Sequence, residues 1–102
     1  MNITDIDDKI IIKSKNTGQP FEEISRHFET EFLEDMKLLN VALPDVITRV
    51  TEYVPEIVAF IAKIIDNGYA YESNGSVYFA VDKFDGSPCH CYAKLEPNNK
   101  NN

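Results

Sequence analysis

Acidic, amide and hydroxyl side chains crowd the start of the chain, directly before an isoleucine-rich run: Asn2, Thr4, Asp5, Asp7 and Asp8. Carboxylates two positions apart are one element of a calcium loop, but an EF-hand also needs oxygen ligands at further alternate positions and a central glycine. Lys9 occupies the next alternate position, and no glycine follows it closely. A helix start accounts for the same residues, because Asp5 would cap a helix that begins near Ile6, with Asp7 and Asp8 in its first turn. We therefore favour a capped helix start over a calcium loop.

A second candidate for chemistry is the triplet Cys89-His90-Cys91. Thiolates and imidazoles bind zinc, but a closed zinc site needs four ligands. His27 is the only other histidine, and there is no second cysteine pair. An ordinary loop is therefore favoured over a zinc site, with the thiols expected to be reduced. His27 lies beside Phe28 without a nucleophile to activate, which indicates a surface or boundary residue.

The composition describes an acidic chain, with a net charge of −7 over 102 residues. This length suits one small domain or part of a larger one, and a hydrophobic content of 43% supplies material for a core. Negative charge repels phosphate backbones, so a free-standing nucleic-acid-binding module is not expected and no nucleic-acid site is evident. No apolar run approaches the roughly 18–20 residues of a membrane span, so no membrane is expected as a partner.

Apolar spacing predicts a chain that is locally mostly α-helical. A first helix should end at Asn16-Thr17-Gly18, and a second should start at Pro20 and end near Asn40. The second helix carries a stripe at spacings of three and four: Phe21, Ile24, Phe28, Phe32, Met36 and Leu39. A third helix should open near Thr51 and end at Asn67-Gly68. Its buried face is expected to consist of Val54, Ile57, Val58, Ile61, Ile64 and Ile65.

One short β-hairpin is predicted after the third helix. Tyr69–Glu72 and Val77–Val81 are rich in aromatic and β-branched residues, and the Asn74-Gly75 pair between them is a strong signal for a tight hairpin turn. The last residues, 97–102, form a polar, asparagine-rich tail that is predicted to be disordered.

Several stretches resemble cysteinyl-tRNA synthetases, in the style of the eukaryotic members of this class I family. They follow one another in order and nearly without gaps over residues 2–97: NITDIDDKI from Asn2, FLEDM from Phe32 with LNV from Leu39, RVTEYVPEIV from Arg49, NGYAY from Asn67, and NGSVYF from Asn74. A match of this extent is far more specific than any single short motif.

The resemblance implies an α/β fold, namely part of the Rossmann-type catalytic domain of a class I synthetase. It also implies an ATP- and Mg2+-dependent reaction that activates cysteine and transfers it to tRNA(Cys), with a Zn2+ ion that recognises the substrate thiol. The family's His-Ile-Gly-His and Lys-Met-Ser-Lys-Ser signatures and its zinc ligands do not occur in this chain. No catalytic residue or metal ligand is therefore assigned, none of these cofactors is expected to bind this chain alone, and the isolated chain is expected to be inactive. The sequence departs from the family pattern at Cys89, Cys91 and Ala93.

The same resemblance assigns one residue to a substrate pocket. Thr4 matches the family's threonine at the end of a strand beside the bound cysteine, and folds of this type place ligands beyond the carboxyl ends of their strands. Asn2 and Asp5 would support the turn that presents Thr4. Residues 1–96 would form the end of the first Rossmann half and the start of the connecting insertion, with the remainder of the catalytic domain as partner. The strand around Asn2–Thr4 is then expected to have no neighbour within the chain.

An alternative from a different class is a non-catalytic helical protein-interaction module derived from a synthetase, whose amphipathic helices dock on a partner. Cysteine-dependent ATP–pyrophosphate exchange and recovery of a partner from cells would separate the two hypotheses. The acidic start without an apolar leader indicates a cytoplasmic protein in either case.

Overall fold

A computed structural model describes residues 1–100. The chain divides into two compact units, Met1–Val54 and Pro55–Asn102. The first contains β1 (Asn2–Ile3), α1 (Asp8–Thr17), α2 (Phe21–Leu38), β2 (Thr48–Arg49) and a 3-10 turn (Val50–Glu52). Helix α3 (Val54–Asp66) begins at the boundary and is followed by β3 (Ala70–Ser73), β4 (Ser76–Phe79), α4 (Val81–Asp85) and a second 3-10 turn (Pro97–Asn99).

Helix α1 is defined by a cap at each end. The carboxylate of Asp7 accepts a hydrogen bond from the backbone N–H of Ile10 at 2.9 Å, which satisfies one of the free donors of the first turn. At the other end Gly18 adopts a left-handed conformation, with φ of 71°. The predicted stop is confirmed, but the predicted cap is wrong: Asp5 lies three residues before the helix and is used elsewhere.

Helix α2 packs on α1, and the small core of the first unit lies on α2. It begins at Phe21, one residue later than predicted, with Pro20 as its N-cap. Ile24 is only 5% exposed, whereas Phe28 and Phe32 of the same predicted stripe are 45% and 42% exposed. The stripe is therefore buried at its amino-terminal end and largely open farther along the helix.

The first unit also contains a two-stranded parallel sheet. Asn2 pairs with Thr48 and Ile3 with Arg49, and α1 and α2 form the connection between the two strands. A parallel pair joined through helices is the basic element of an α/β fold, in agreement with the predicted class. The expectation that the first strand has no neighbour within the chain is wrong, because β1 pairs with β2. Strand β2 is too short and too polar for apolar periodicity to reveal it.

Helix α3 differs from its prediction in its start and in its burial. The residues from Val50 to Glu52 form a 3-10 turn, and α3 itself starts at Val54 with Pro55 in the first turn. None of its residues is buried: Val54 and Val58 of the expected face are 49% and 59% exposed, and Ile61 and Ile64 are half-buried. The expected buried face is therefore only partly covered within residues 1–100.

The β-hairpin of the second unit is confirmed. Strands β3 and β4 pair antiparallel from Ala70–Phe79 to Ser73–Ser76, and both turn residues, Asn74 and Gly75, have positive φ angles of 51° and 79°. The second strand is shorter than predicted, because Val81 belongs to α4.

The polar tail at residues 97–102 is described only in part. The described part of residues 97–102 contains the 3-10 turn, and the Lys100 ammonium lies 3.0 Å from the Asp85 carboxylate. Asn101 and Asn102 lie outside the described residues, so the disordered tail and the boundary at residue 96 stay predictions.

None of the helices in residues 1–100 is both long and apolar enough to cross a membrane.

Candidate functional site

Thr4 lies on the loop between β1 and α1, where its exposed side chain borders an open cleft of about 400 Å³. The loop, α1 and α2 form the walls of this cleft. Its apolar lining consists of Ile3, Ile10, Ile24, Phe28 and Phe32. Polar residues line the same cleft, among them Thr4, Asp7, Lys9 and Lys13. Of these, Thr4 directly follows the carboxyl end of β1.

Asn2 connects the two strands through its side chain. Its Oδ1 atom accepts a hydrogen bond from Thr48 Oγ1 at 3.1 Å, directly beside the backbone pairing of the same two residues. Asn2 therefore stabilises the strand that precedes Thr4 and lies apart from the residues that border the cleft.

Asp5, on the same loop as Thr4, is buried and forms hydrogen bonds with a residue distant in sequence. It is 7% exposed, and both carboxylate oxygens bind one residue: Oδ1 accepts from the backbone N–H of Thr51 at 3.0 Å, and Oδ2 accepts from the Thr51 hydroxyl. Burial acts to raise the pKa of the Asp5 carboxyl, but these hydrogen bonds and the charge of Arg49 hold that pKa below its ordinary value. Asp5 therefore caps the 3-10 turn at Val50–Glu52 from a distant part of the sequence.

Arg49 forms a second connection, from β2 to α2. Its Nε lies 2.9 Å from Glu29 Oε2, and its Nη2 binds Glu29 Oε1, so the guanidinium contacts both carboxylate oxygens. Arg49 also reaches Glu52, at 3.4 Å. Only 9% of the Glu29 side chain is exposed, and the hydrogen bonds from Arg49 hold the pKa of Glu29 below its ordinary value despite this burial.

The sequence predicts a supporting role for Asn2 and Asp5, but assigns none to Glu29, Arg49 or Thr51. Thr51 is predicted only as the start of the third helix, and Arg49 only as part of a stretch that resembles the family. The residue numbers of the two pairs differ by 20 and 46, so no short spacing reveals them. The only available signal was the presence of charged residues at the edge of an apolar stripe.

No cysteine or histidine is among the residues that line the cleft, although the His27 ring meets Phe28 of the lining edge-on at a centroid distance of 5.3 Å. Cys89 and Cys91 are exposed free thiols. The ring of His90 stacks on Phe84 at a centroid distance of 4.5 Å and meets Tyr69 edge-on at 5.0 Å. His27 lies 3.4 Å from Glu31 on the exposed face of α2. Within residues 1–100, no three His, Cys, Asp or Glu side chains converge into a group that could hold a metal ion.

Comparison with known proteins first defines the protein family to which the chain belongs. All residues, 1–102, match the profile of the family described as tRNA synthetases class I (C) catalytic domain. The chain belongs to this family, and its parallel β1–β2 pair and helical connection agree with the α/β fold of such a domain.

Individual relatives then narrow the class to one branch. The chain is 61% identical over 102 residues to the cytoplasmic cysteine–tRNA ligase of Dictyostelium discoideum, which covers all of this chain and 15% of that protein. It is 60% identical over 77 residues to the cytoplasmic enzyme of Xenopus tropicalis, covering 76% of this chain and 10% of the relative. For the cysteine–tRNA ligase of Encephalitozoon cuniculi the identity is 56% over 84 residues, or 82% of this chain and 18% of the relative. The chain thus spans less than a fifth of the length of these relatives.

Proposed function

We propose that this chain is a segment of a cysteine–tRNA ligase, the enzyme that activates cysteine with ATP and joins it to tRNA(Cys) in the cytoplasm. The observation that carries the proposal is the match of the whole chain to the catalytic-domain family, together with 61% identity to a cysteine–tRNA ligase. No feature of the described residues favours the alternative of a non-catalytic interaction module over this function.

The role proposed for Thr4 is to bind the cysteine substrate. A free amino acid carries a carboxylate that accepts hydrogen bonds and an ammonium that donates them, and a threonine hydroxyl can bind either group. Thr4 is exposed at the carboxyl end of β1 and borders the cleft, which is the side of an α/β sheet where ligands bind. Asn2 and Asp5 would act through the backbone, by holding the ends of the segment that contains Thr4.

The metals of the reaction belong to other parts of the enzyme in this proposal. Mg2+ would accompany ATP, and Zn2+ would recognise the substrate thiol. Residues 1–100 provide no converging set of ligands for either ion, so we assign no metal ligand and no metal-dependent step to this chain. The groups that this chain would supply are a hydroxyl beside the substrate and the polar residues that position it.

A chimeric enzyme tests the function directly. The matching segment of the Dictyostelium ligase would be replaced by residues 1–102, and cysteine-dependent ATP–pyrophosphate exchange and aminoacylation of tRNA(Cys) would be measured. We expect activity within about tenfold of the parent, which corresponds to roughly 1.4 kcal/mol in the barrier. The isolated 102-residue chain, as control, should give no exchange above background. A chimera that is folded and monodisperse but inactive would contradict the proposal.

Thr4→Val tests the substrate contact in the same chimera. Valine keeps the shape of threonine but removes the hydroxyl, so we expect the KM for cysteine to rise about fivefold to tenfold, as for the loss of one hydrogen bond. The KM for ATP should stay within about twofold of its original value. Thr30→Val is the matched control, because the Thr30 hydroxyl binds only the carbonyl of Arg26 on the surface of α2. An unchanged KM for cysteine in Thr4→Val would exclude the contact.

A further inference from the structure

We infer that Asp5 and Thr51 are a pair of positioning residues that fix the orientation of Thr4 toward the cleft. This inference rests on the proposed function, because it assigns the pair a role in cysteine binding. It concerns Thr51 above all, which the resemblance did not connect with the substrate.

The first step is the way in which Thr4 is held. Its predecessor Ile3 pairs with Arg49 in the parallel sheet, and its successor Asp5 binds Thr51 through both carboxylate oxygens. Thr4 is therefore a single exposed residue between two anchored ones. Since consecutive Cα atoms are about 3.8 Å apart, little freedom remains for its backbone while both anchors hold.

The second step is the chemistry of the Asp5 anchor. A carboxylate with only 7% exposure has lost most of its contact with water and needs hydrogen bonds from protein groups. Thr51 supplies two of them, from its backbone N–H and its hydroxyl. The hydroxyl bond is the one that a side-chain substitution can remove while the backbone bond stays.

The third step is the support of Thr51 itself. Arg49, two residues earlier, holds both oxygens of Glu29 on α2, with Nε 2.9 Å from Oε2. Helix α2 also provides Ile24, Phe28 and Phe32 to the wall of the cleft. The anchor of Thr4 and the cleft wall are therefore attached to the same helix, so the Asp5–Thr51 pair sets the position of Thr4 relative to that wall.

Substitutions of Thr51 in the chimeric enzyme test the inference. Thr51→Val removes the hydroxyl donor but keeps the shape and the backbone N–H, and Thr51→Ser restores the donor. We expect Thr51→Val to raise the KM for cysteine on the order of fivefold, as for one hydrogen bond, with the KM for ATP nearly unchanged. Thr51→Ser should return the KM for cysteine to within about twofold of the unsubstituted chimera. Thr30→Val again serves as the control for a threonine whose hydroxyl lies away from Asp5.

The outcomes separate this inference from the proposed function. An inactive but folded chimera without substitutions would contradict the function alone. An active chimera in which Thr51→Val changes both KM values equally, or in which Thr51→Ser behaves like Thr51→Val, would overturn the inference.

A second measurement does not depend on activity. In the 102-residue chain, 15N relaxation should show that Thr51→Val lowers the backbone order parameter of Thr4 from a rigid value near 0.85 toward about 0.6, whereas Thr51→Ser and Thr30→Val leave it unchanged. An order parameter of Thr4 that is the same in all variants would also overturn the inference.

Discussion

Replacing Ile24 by alanine is expected to lower the unfolding free energy of the first unit by about 3 kcal/mol, since large-to-small substitutions in a core remove apolar contacts and leave a cavity. Ile24 is 5% exposed and is the only buried apolar residue within residues 1–100. A unit with so small a core has few other contacts to compensate. We therefore expect Ile24→Ala to remove most of the cooperative urea transition, as followed by far-UV circular dichroism.

The same substitution at an exposed position provides the control. Ile12 on α1 is 57% exposed, so Ile12→Ala removes much less buried area and should change the unfolding free energy by less than about 1 kcal/mol. Equal losses for the two variants would mean that the burial of Ile24 does not stabilise the first unit.

The second large effect is expected from Arg49→Met, which removes the partner of a nearly buried carboxylate. Methionine keeps much of the aliphatic length of arginine, but Glu29, with 9% of its side chain exposed, loses its hydrogen bonds to the guanidinium. Leaving a buried charged acceptor without a partner costs about 1–3 kcal/mol or more, so at neutral pH the variant should unfold at a clearly lower urea concentration.

The pH dependence of this loss follows from the pKa values. In the unsubstituted chain the pKa values of Asp5 and Glu29 are lowered from ordinary values of 3.8 and 4.5, so their contribution is fully present above those values and is lost as the pH falls through the folded-state values. Without Arg49, burial raises the pKa of Glu29 instead, and the variant regains stability relative to the unsubstituted chain as Glu29 binds a proton.

Urea unfolding at pH 7 and near pH 4 measures both effects. The difference between Arg49→Met and the unsubstituted chain should be smaller at the lower pH. Arg26→Met is the control, because Arg26 is exposed, lies one turn before Glu29 on α2 and acts on Glu29 through its charge alone, not through a hydrogen bond. A difference that is independent of pH would show that Arg49 stabilises the unit through packing and not through the Glu29 carboxylate.

Local signals in the sequence predicted the parts of the fold that depend on neighbouring residues. The glycine that ends α1, the proline before α2 and the Asn-Gly turn between β3 and β4 each determine the backbone within a few residues. Those features were therefore predicted at or close to their observed positions. The cap of α1 was misassigned by two residues because Asp5 and Asp7 are equally good capping residues by type.

The remaining features depend on partners distant in sequence. Strand β2 has only two residues, and its polar side chains give no alternation that a periodicity argument could detect. The pairing of Asp5 with Thr51 and of Glu29 with Arg49 likewise requires the three-dimensional fold. The partly covered face of α3 was misjudged because apolar periodicity shows that a helix face needs a partner, but not whether that partner lies within these residues.

For the candidate site, the residues alone indicated only a polar helix start. The assignment of Thr4 to a substrate pocket came from family resemblance, since nothing in the type or spacing of Asn2, Thr4 and Asp5 identifies cysteine as a ligand. The structure adds the surroundings of Thr4, an exposed hydroxyl at the end of β1 beside an apolar cleft.

The parallel pairing of β1 with β2 also sets an order of events during synthesis. Asn2 and its partner Thr48 are separated by 46 positions, so at about 5–20 residues per second the ribosome needs roughly 2–9 s to add the second strand after the first. Helices α1 and α2 are complete before then, and their contacts are local, so they can form while β1 and the Asp5 carboxylate still lack their partners. Residues 48–51 must be present before the sheet closes and Asp5 gains its partner, so we expect the loop with Thr4 to become ordered no earlier than β2.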